Sequence, residues 1–275
     1  MTAIYENDSD EKNLVRKHWI EFSKASFNRS PNDFKLLTMP SEEMQDIEYY
    51  KKSGLIKLYE TETGAFRANK GHLVCYEEKM DKYIKISKTL TCEEVYNNEI
   101  CKDLITRPTR FFPFDTINLD FDHSLEKSLS EPQKLFDSIF SKQMTYKINF
   151  SLFLTFPENF EDYSDRYKAI LKNVIDANLR EPYNDKFKHQ YKLLGNVTNE
   201  DLCKIAISKE IIRSAFHNNY KISKIELFAY GRNGGAHRRM LSFLYNFNFQ
   251  PQRPPHSDYF SEVLHSLKEL KDLTS

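Results

Sequence analysis

An α/β fold is predicted for this chain: a mostly parallel, seven-stranded sheet between two helical layers, with an antiparallel hairpin at its C-terminal end. Three observations predict it. Hydrophobic periodicity alternates between helical and strand repeats along most of the 275 residues. Lys147 to Thr155 is nearly continuous in β-branched, aromatic and aliphatic residues, as a central strand buried on both faces requires. Lys221 to Tyr230 and Met240 to Phe249 are strand-like runs joined by a short link carrying Gly231, Gly234 and Gly235, and such close succession indicates an antiparallel pair.

The elements follow in order. Met1 to Glu11 is polar and acidic, a frayed start before a helix that carries Leu14, Val15, Trp19 and Phe22. Phe34 to Met39 reads as the first strand. Pro40, Ser41, Glu42 and Glu43 then mark a helix start, a hydroxyl to cap free amides and acids to oppose the positive end of the helix dipole, and Gly54 stops that helix after about Ser53. Gly71 to Glu78 is a second strand ending in acids, followed by a helix over Lys79 to Lys88. Thr91 to Val95 is a weaker third strand, with a short helix from Asn97 to Leu104 behind it. Phe114 to Leu119 is the fourth strand. Ser130, Pro132 and Gln133 form a helix signature: a hydroxyl cap, Pro in the first turn, and Gln placed to reach back. After the fifth strand, Lys147 to Thr155, helices are predicted at about Asp162 to Leu179 and Thr198 to His217.

Composition narrows the class. A chain of this length buries a substantial core as one large domain, and 7 glycines with only short Pro/Ser tracts give no linker. Cys75, Cys92, Cys101 and Cys203 form no CxxC pair, which argues against a thiolate metal site and for reduced, buried thiols. No basic segment precedes an apolar stretch at the N-terminus, and Phe150 to Phe156 is too short to span a bilayer, so a cytoplasmic location and no membrane association are expected. Formal net charge is zero, yet Lys186 to Pro255 holds twelve Lys/Arg against four acids, an excess of +8 that the remainder balances with −8. A bipolar chain of this kind presents its C-terminal third to phosphates or an acidic partner, unless nearby acids neutralise it in the fold.

The chemistry is expected where the apolar run from Phe111 breaks into Asn118, Asp120, Asp122 and His123, because ligands of open α/β sheets collect at the carboxyl ends of the strands. Alternation along an extended backbone turns Asn118 and Asp120 to one side and Leu119 and Phe121 to the other, setting an amide beside a carboxylate. The plainer alternative is that Asp120 and Asp122 end the strand and cap the next turn. No G-x-S-x-G elbow or P-loop occurs, and a metal-dependent nuclease built from Glu77, Asp120 and Asp122 would need a different strand arrangement. His237 and His256 have no partner at ligand spacing.

Five strands alternating with helices, then a helix and a closing hairpin, resemble the Rossmann-like catalytic domain of class I S-adenosylmethionine-dependent methyltransferases. The likeness spans about Phe34 to Phe249 and rests on element order and strand-end residues. It implies a seventh strand inserted antiparallel beside the fifth, and a division into an N-terminal helical extension (1–30), a methyltransferase-like domain (31–250) and a C-terminal helix (251–275). Asn118 to Asp122 looks most like the fourth-strand motif of nucleic-acid amino-methyltransferases, with Asp120 matching the acid that holds the target amine and Asn118 helping to place it. The resemblance implies S-adenosylmethionine bound near Thr38, Ser41, Glu77 or Glu78, and Asn97. Glu77 or Glu78 stands where the family binds the ribose hydroxyls, or else simply opens the next helix; Asn97 touches the adenine edge or caps a helix. Two departures stand out. No proline follows Phe121, and no glycine precedes Gly54, so Met39 to Glu43 replaces the family's glycine-rich loop.

Two functions follow. The first is a methyltransferase-like enzyme acting on nucleic acid, Asp120 and Asn118 at the reacting nitrogen and Arg232, Arg238 and Arg239 on phosphates. The second is a non-catalytic subunit that keeps the fold and binds nucleic acid or a protein partner in a processing or antiviral defence assembly, as a lost glycine loop would suggest.

Overall fold

The fold is that of a computed structural model, which describes residues 10–90, 94–158, 163–180, 185–231, 239–252 and 271–272. The chain runs α1 (Asp10–Ser26), β1 (Leu36–Thr38), α2 (Gln45–Lys52), β2 (Leu58–Glu60), β3 (Phe66–Ala68), β4 (Leu73–Tyr76), α3 (Met80–Thr89), β5 (Val95–Tyr96), α4 (Ile100–Thr106), β6 (Thr116–Asp120) and α5 (Leu125–Ser128). It continues through α6 (Pro132–Met144), β7 (Phe150–Pro157), α7 (Asp165–Arg180), α8 (Asp185–Leu193), α9 (Asn199–His217), β8 (Tyr220–Tyr230), β9 (Met240–Phe249) and β10 (Lys271–Asp272). Among the described residues the main sheet has the order β10-β8-β9-β7-β6-β1-β4-β5, and β2 and β3 form a separate small hairpin.

Setting the two-residue β10 aside, the expected seven-stranded sheet is present. β1, β4, β5, β6 and β7 are its first five strands in chain order, and all their mutual pairings are parallel. β9, the seventh, runs antiparallel between β7 and β8, Leu154 facing Phe243 and Leu227 facing Phe243 across the two ladders. All eight residues of β7 are buried. A strand with no solvent side needs apolar cover above and below, at roughly 1.5–3 kcal/mol for each large side chain taken from water.

One face is covered by α4, α6 and α9, packed on Phe150, Leu152, Leu154 and Phe156 in a cluster that also holds Phe243, Tyr245 and Phe247. α9 is buried around nearly its whole circumference from Cys203 to Phe216, because α7 packs on it as a further layer. A Thr198 capping box starts α9: the hydroxyl accepts from the Asp201 amide while the Asp201 carboxylate accepts from the Thr198 amide.

The opposite face is covered by α1 and α2. Val15, Trp19 and Phe22 of α1 are fully or almost fully buried against Phe153, Phe228, Tyr230 and Leu244, with the Trp19 and Phe153 rings stacked 6.1 Å apart. A polar seam sets its position at the far end: Ser23 is bonded to Thr116 at 2.8 Å, and Ser26 to Ser151 at 2.7 Å. The helix placed before the main domain is thus packed into the sandwich. Of the C-terminal helix expected over 251–275, nearly all lies outside the described residues, and Lys271–Asp272 pair in parallel with β8.

Several boundaries differ from expectation for local reasons. Ser41 does not cap α2; its carbonyl closes a turn with the Met44 amide at 2.9 Å, and the helix starts one turn later, after Met44 takes a left-handed φ of 50°. Gly54 does end it, with φ 78°. Glu131, not Ser130, precedes α6. The β2–β3 hairpin and α8 had no strong periodic signal.

If α1 is a structural layer, Trp19→Ala lowers stability by about 3–5 kcal/mol in chemical denaturation. A loss under about 1 kcal/mol would contradict that packing.

Candidate functional site

Parallel pairing brings the carboxyl ends of β1, β4, β5, β6 and β7 to one edge, which the end of β8 shares because it is antiparallel to β9. Leu37 lies opposite Ile117, so Thr38 comes beside Asn118, whose Nδ2 donates to Thr38 Oγ1 at 3.4 Å. The alternation holds. Leu119 and Phe121 point into the core under α4 and α6, while Asn118 and Asp120 face α1. Asn118 is fully buried and its Oδ1 has no hydrogen-bond partner, a state that costs about 1–3 kcal/mol when left uncompensated.

The first turns of α1 close this edge. Glu11 accepts from the Gly231 amide at 3.0 Å, Lys12 Nζ lies 3.2 Å from Asp120 Oδ2, and Arg16 donates to Asp46 at 2.6 Å and to Gln45 at 2.8 Å. Three elements, the ends of β8 and β6 and the start of α2, are therefore tied by one helix. The Asp120 carboxylate holds the Lys12 ammonium well above its usual range, against the opposing effect of burial. Burial also raises the Tyr230 phenol, with Asp120 adding to it, and the Tyr230 hydroxyl has no hydrogen-bond partner. Lys12, Arg16 and Tyr230 were not among the residues expected here. The signal was present in α1: Lys12 and Arg16 continue the stripe of Trp19 and Ser23 at helical spacing, and charges on a buried stripe need partners.

At the second and third strands, Glu77 is half-buried and its Oε1 accepts from the Lys79 amide at 2.8 Å, while Glu78 is exposed. Asn97 gives its amide to the carbonyls of Glu77 and Glu78, at 2.8 and 2.9 Å, which fixes the β4 and β5 ends to each other; Glu99 precedes α4. Asp122 pairs with Lys79 at 2.6 Å. Below this rim, Asp103 accepts from Arg107, Asn98 and Tyr76, and the guanidinium lies over the rings of Tyr96 and Phe111, 3.9 and 4.6 Å from their centroids. Burial pulls the Asp103 carboxyl up, and the Arg107 and Asn98 hydrogen bonds outweigh it, so its pKa is lowered. After β1, Glu42 is drawn away to Lys85 at 2.5 Å.

Several cations of the basic third are paired within the fold. Arg239 is paired with Glu158 at 3.0 Å, and Lys204, Lys209, Arg213 and Lys224 each have an acidic partner. Arg232 and Arg238 lie outside the described residues. An open depression of about 550 Å³ between α6 and α9 is lined by Asp137, Ser138, Arg213 and His217, on a helical face rather than at the strand ends. Among the described residues, no three His, Cys, Asp or Glu converge as a metal site, and no helix is long and apolar enough to cross a membrane.

No protein-family model matches the chain, and no curated protein does. Solved structures do. A TYW2 of M. jannaschii in complex with AdoMet aligns over 90% of this chain and 80% of its own, at 10% identity and a TM-score of 0.38. A SAM-dependent methyltransferase of Methanosarcina mazei aligns over 82% and 97%, at 9% identity and 0.38. A Streptococcus thermophilus protein named provisionally as a hemolysin aligns over 91% and 72%, at 10% identity and 0.39. Likeness at this level carries no activity to the present chain.

Two predictions follow from the ion pairs. Arg16→Met leaves Asp46 buried without its partner and lowers stability by about 3–5 kcal/mol, most of it recovered by adding Asp46→Leu; denaturant midpoints check both. Asp103 has a lowered pKa, so its contribution is present above the ordinary value of 3.8 and fades as pH falls through the lower folded value. The stability gap between wild type and Asp103→Asn therefore narrows from pH 5 to pH 3; an unchanged gap would refute the assignment.

Proposed function

We propose that this chain is an S-adenosylmethionine-dependent, methyltransferase-like protein whose reaction is amino-group methyl transfer on nucleic acid. The observation that carries the proposal is the antiparallel seventh strand β9, between β7 and β8, in a sheet whose carboxyl edge holds Glu77, Asn118 and Asp120. The residues fit the cofactor in two places. Glu77 keeps a half-buried carboxylate at the end of β4, suited to ribose hydroxyls, with Asn97 bracing the loop beside it. In the turn before α2, Met44 takes the left-handed backbone that glycine adopts readily, at a cost of roughly 1–2 kcal/mol, and the Glu42 charge is held off by Lys85.

Bound there, the cofactor supplies an activated methyl group, so alignment accounts for much of the rate. Asp120 would accept a hydrogen bond from the target nitrogen and take up its proton, and the Asn118 carbonyl oxygen would fix its orientation. Thr38 holds the Asn118 amide and so sets that oxygen. Arg232, Arg238 and Arg239 would lie along the nucleic-acid backbone, Arg239 by exchanging Glu158 for phosphate.

A second reading is favoured by Lys12, whose ammonium already sits on Asp120, and by the side-chain-bearing loop after β1. On that reading the chain is a non-catalytic subunit that binds nucleic acid or a protein partner in a processing or antiviral defence assembly.

Calorimetric titration with S-adenosylmethionine and its demethylated product separates the two. Micromolar binding, with Asp120→Ala retaining it and losing transfer, is the result expected of the enzyme. No binding by the folded chain would overturn the enzyme reading in favour of the second. Charge reversal at Arg238 and Arg239 is expected to weaken nucleic-acid retention by the enzyme, and nucleic-acid or partner binding on the second reading.

A further inference from the structure

We propose that α3 is a hinged lid over the carboxyl end of β1, latched by the ion pairs Lys79–Asp122 and Lys85–Glu42, which opens to admit a ligand and closes again behind it. The lid stands on the way this helix is attached and does not require the cofactor.

The two ends of α3 are held differently. Of its ten residues Ile86 alone is buried, joining Ile47, Leu73 and Leu90 in one core cluster. Leu90, just past the helix, is buried too, gives its amide to the Ile86 carbonyl at 2.7 Å and bridges to Phe66. That end is the hinge. The leading end has no such anchor: Met80 and Ile84, one turn apart, are 57 and 44% exposed. The Lys79 side chain gives no cap there, and its amide is taken by Glu77 at 2.8 Å. A helix with so little apolar burial belongs to the part of a fold that opens locally.

Two lysines hold the leading half by reaching across the edge. β1 lies between β4 and β6 in the sheet. Lys79, past the end of β4, and Asp122, past the end of β6, meet at 2.6 Å across about 10 Å of strand spacing, and so span the end of β1. Lys85 meets Glu42, in the turn after β1, at 2.5 Å. His123, 3.4 Å from Asp122, belongs to the same loop and ties nothing across the edge. The Lys79, Asp122 and Lys85 side chains are 43, 61 and 61% exposed, so water and salt compete for both pairs, and such pairs are individually weak. Ties that are weak and run between loops, on a helix with one buried residue, can release without disturbing the sheet. A ligand seated against Glu77 and the turn before α2 lies where this helix is strapped down.

The test is amide exchange of the free chain read by mass spectrometry. Wild type is compared with Lys79→Met/Lys85→Met and with a fourfold charge swap, Lys79→Asp/Asp122→Lys/Lys85→Glu/Glu42→Lys. The unlatched variant is expected to exchange about fivefold faster over α3, with β4, β6 and α9 unchanged. The swap returns α3 to the wild-type rate, and about 0.5 M sodium chloride speeds the wild type but not the unlatched variant. Unchanged exchange in α3, acceleration that spreads to β4 and β6, or a swap that fails to slow α3 again overturns the lid. With S-adenosylmethionine as the probe, unlatching is expected to raise association and dissociation rates together and leave Kd nearly unchanged, as a gate does. A faster dissociation alone marks an ordinary binding contact and overturns the gate. Absence of S-adenosylmethionine binding in every variant counts against the methyltransferase reading, and the exchange rates then decide the lid by themselves.

Discussion

Burial of β7 on both faces is the constraint from which the rest of the molecule follows. Its eight residues include five large apolar side chains, Phe150, Leu152, Leu154 and Phe156 on one face and Phe153 on the other, and none has access to water. A helical layer is therefore obligatory on each face. On one side α6 and α9 provide it. On the other the chain uses α1, whose Val15, Trp19 and Phe22 meet Phe153 and Leu244. Because the seam of Ser23 and Ser26 with Thr116 and Ser151 fixes the far end of α1, its first turns must arrive at the carboxyl edge of the sheet.

That arrival shapes the site. The helix that completes the core also brings Glu11, Lys12 and Arg16 to the one edge where strand ends display polar groups. Buried charges persist only when paired, and here the pairs run between elements: α1 with β6, and α1 with α2. The edge is consequently not an open cleft of free side chains. Asp120 answers to Lys12, Asn97 braces two loops, and Glu77 steadies the start of α3. Two polar atoms, Asn118 Oδ1 and the Tyr230 hydroxyl, are left over in this ordered setting, which makes them the most informative atoms of the site.

Much of the sheet was legible in the sequence because its signals are local. The apolar run of β7, the alternation through Phe243, Tyr245 and Phe247, and the facing of Asn118 and Asp120 all follow from short-range pattern. What was not legible depends on distant partners. Nothing near Asp120 in sequence announces Lys12, and a serine followed by acids at Ser41 looks like a cap until the Met44 turn delays the helix. The partners within the C-terminal third are of the same kind, since Arg213 finds Asp137 and Arg239 finds Glu158 only in the fold.

The central claim is that the carboxyl edge beneath α1 is where this molecule meets its ligand. Hydrogen exchange read by mass spectrometry, with and without S-adenosylmethionine, tests it most directly. The account predicts slower exchange confined to the segments around Thr38 to Gln45, Glu77 to Lys79 and Asn97 to Glu99, with the α6 and α9 face unchanged. Unaltered exchange at that edge, or protection appearing only on the helical face, would contradict it.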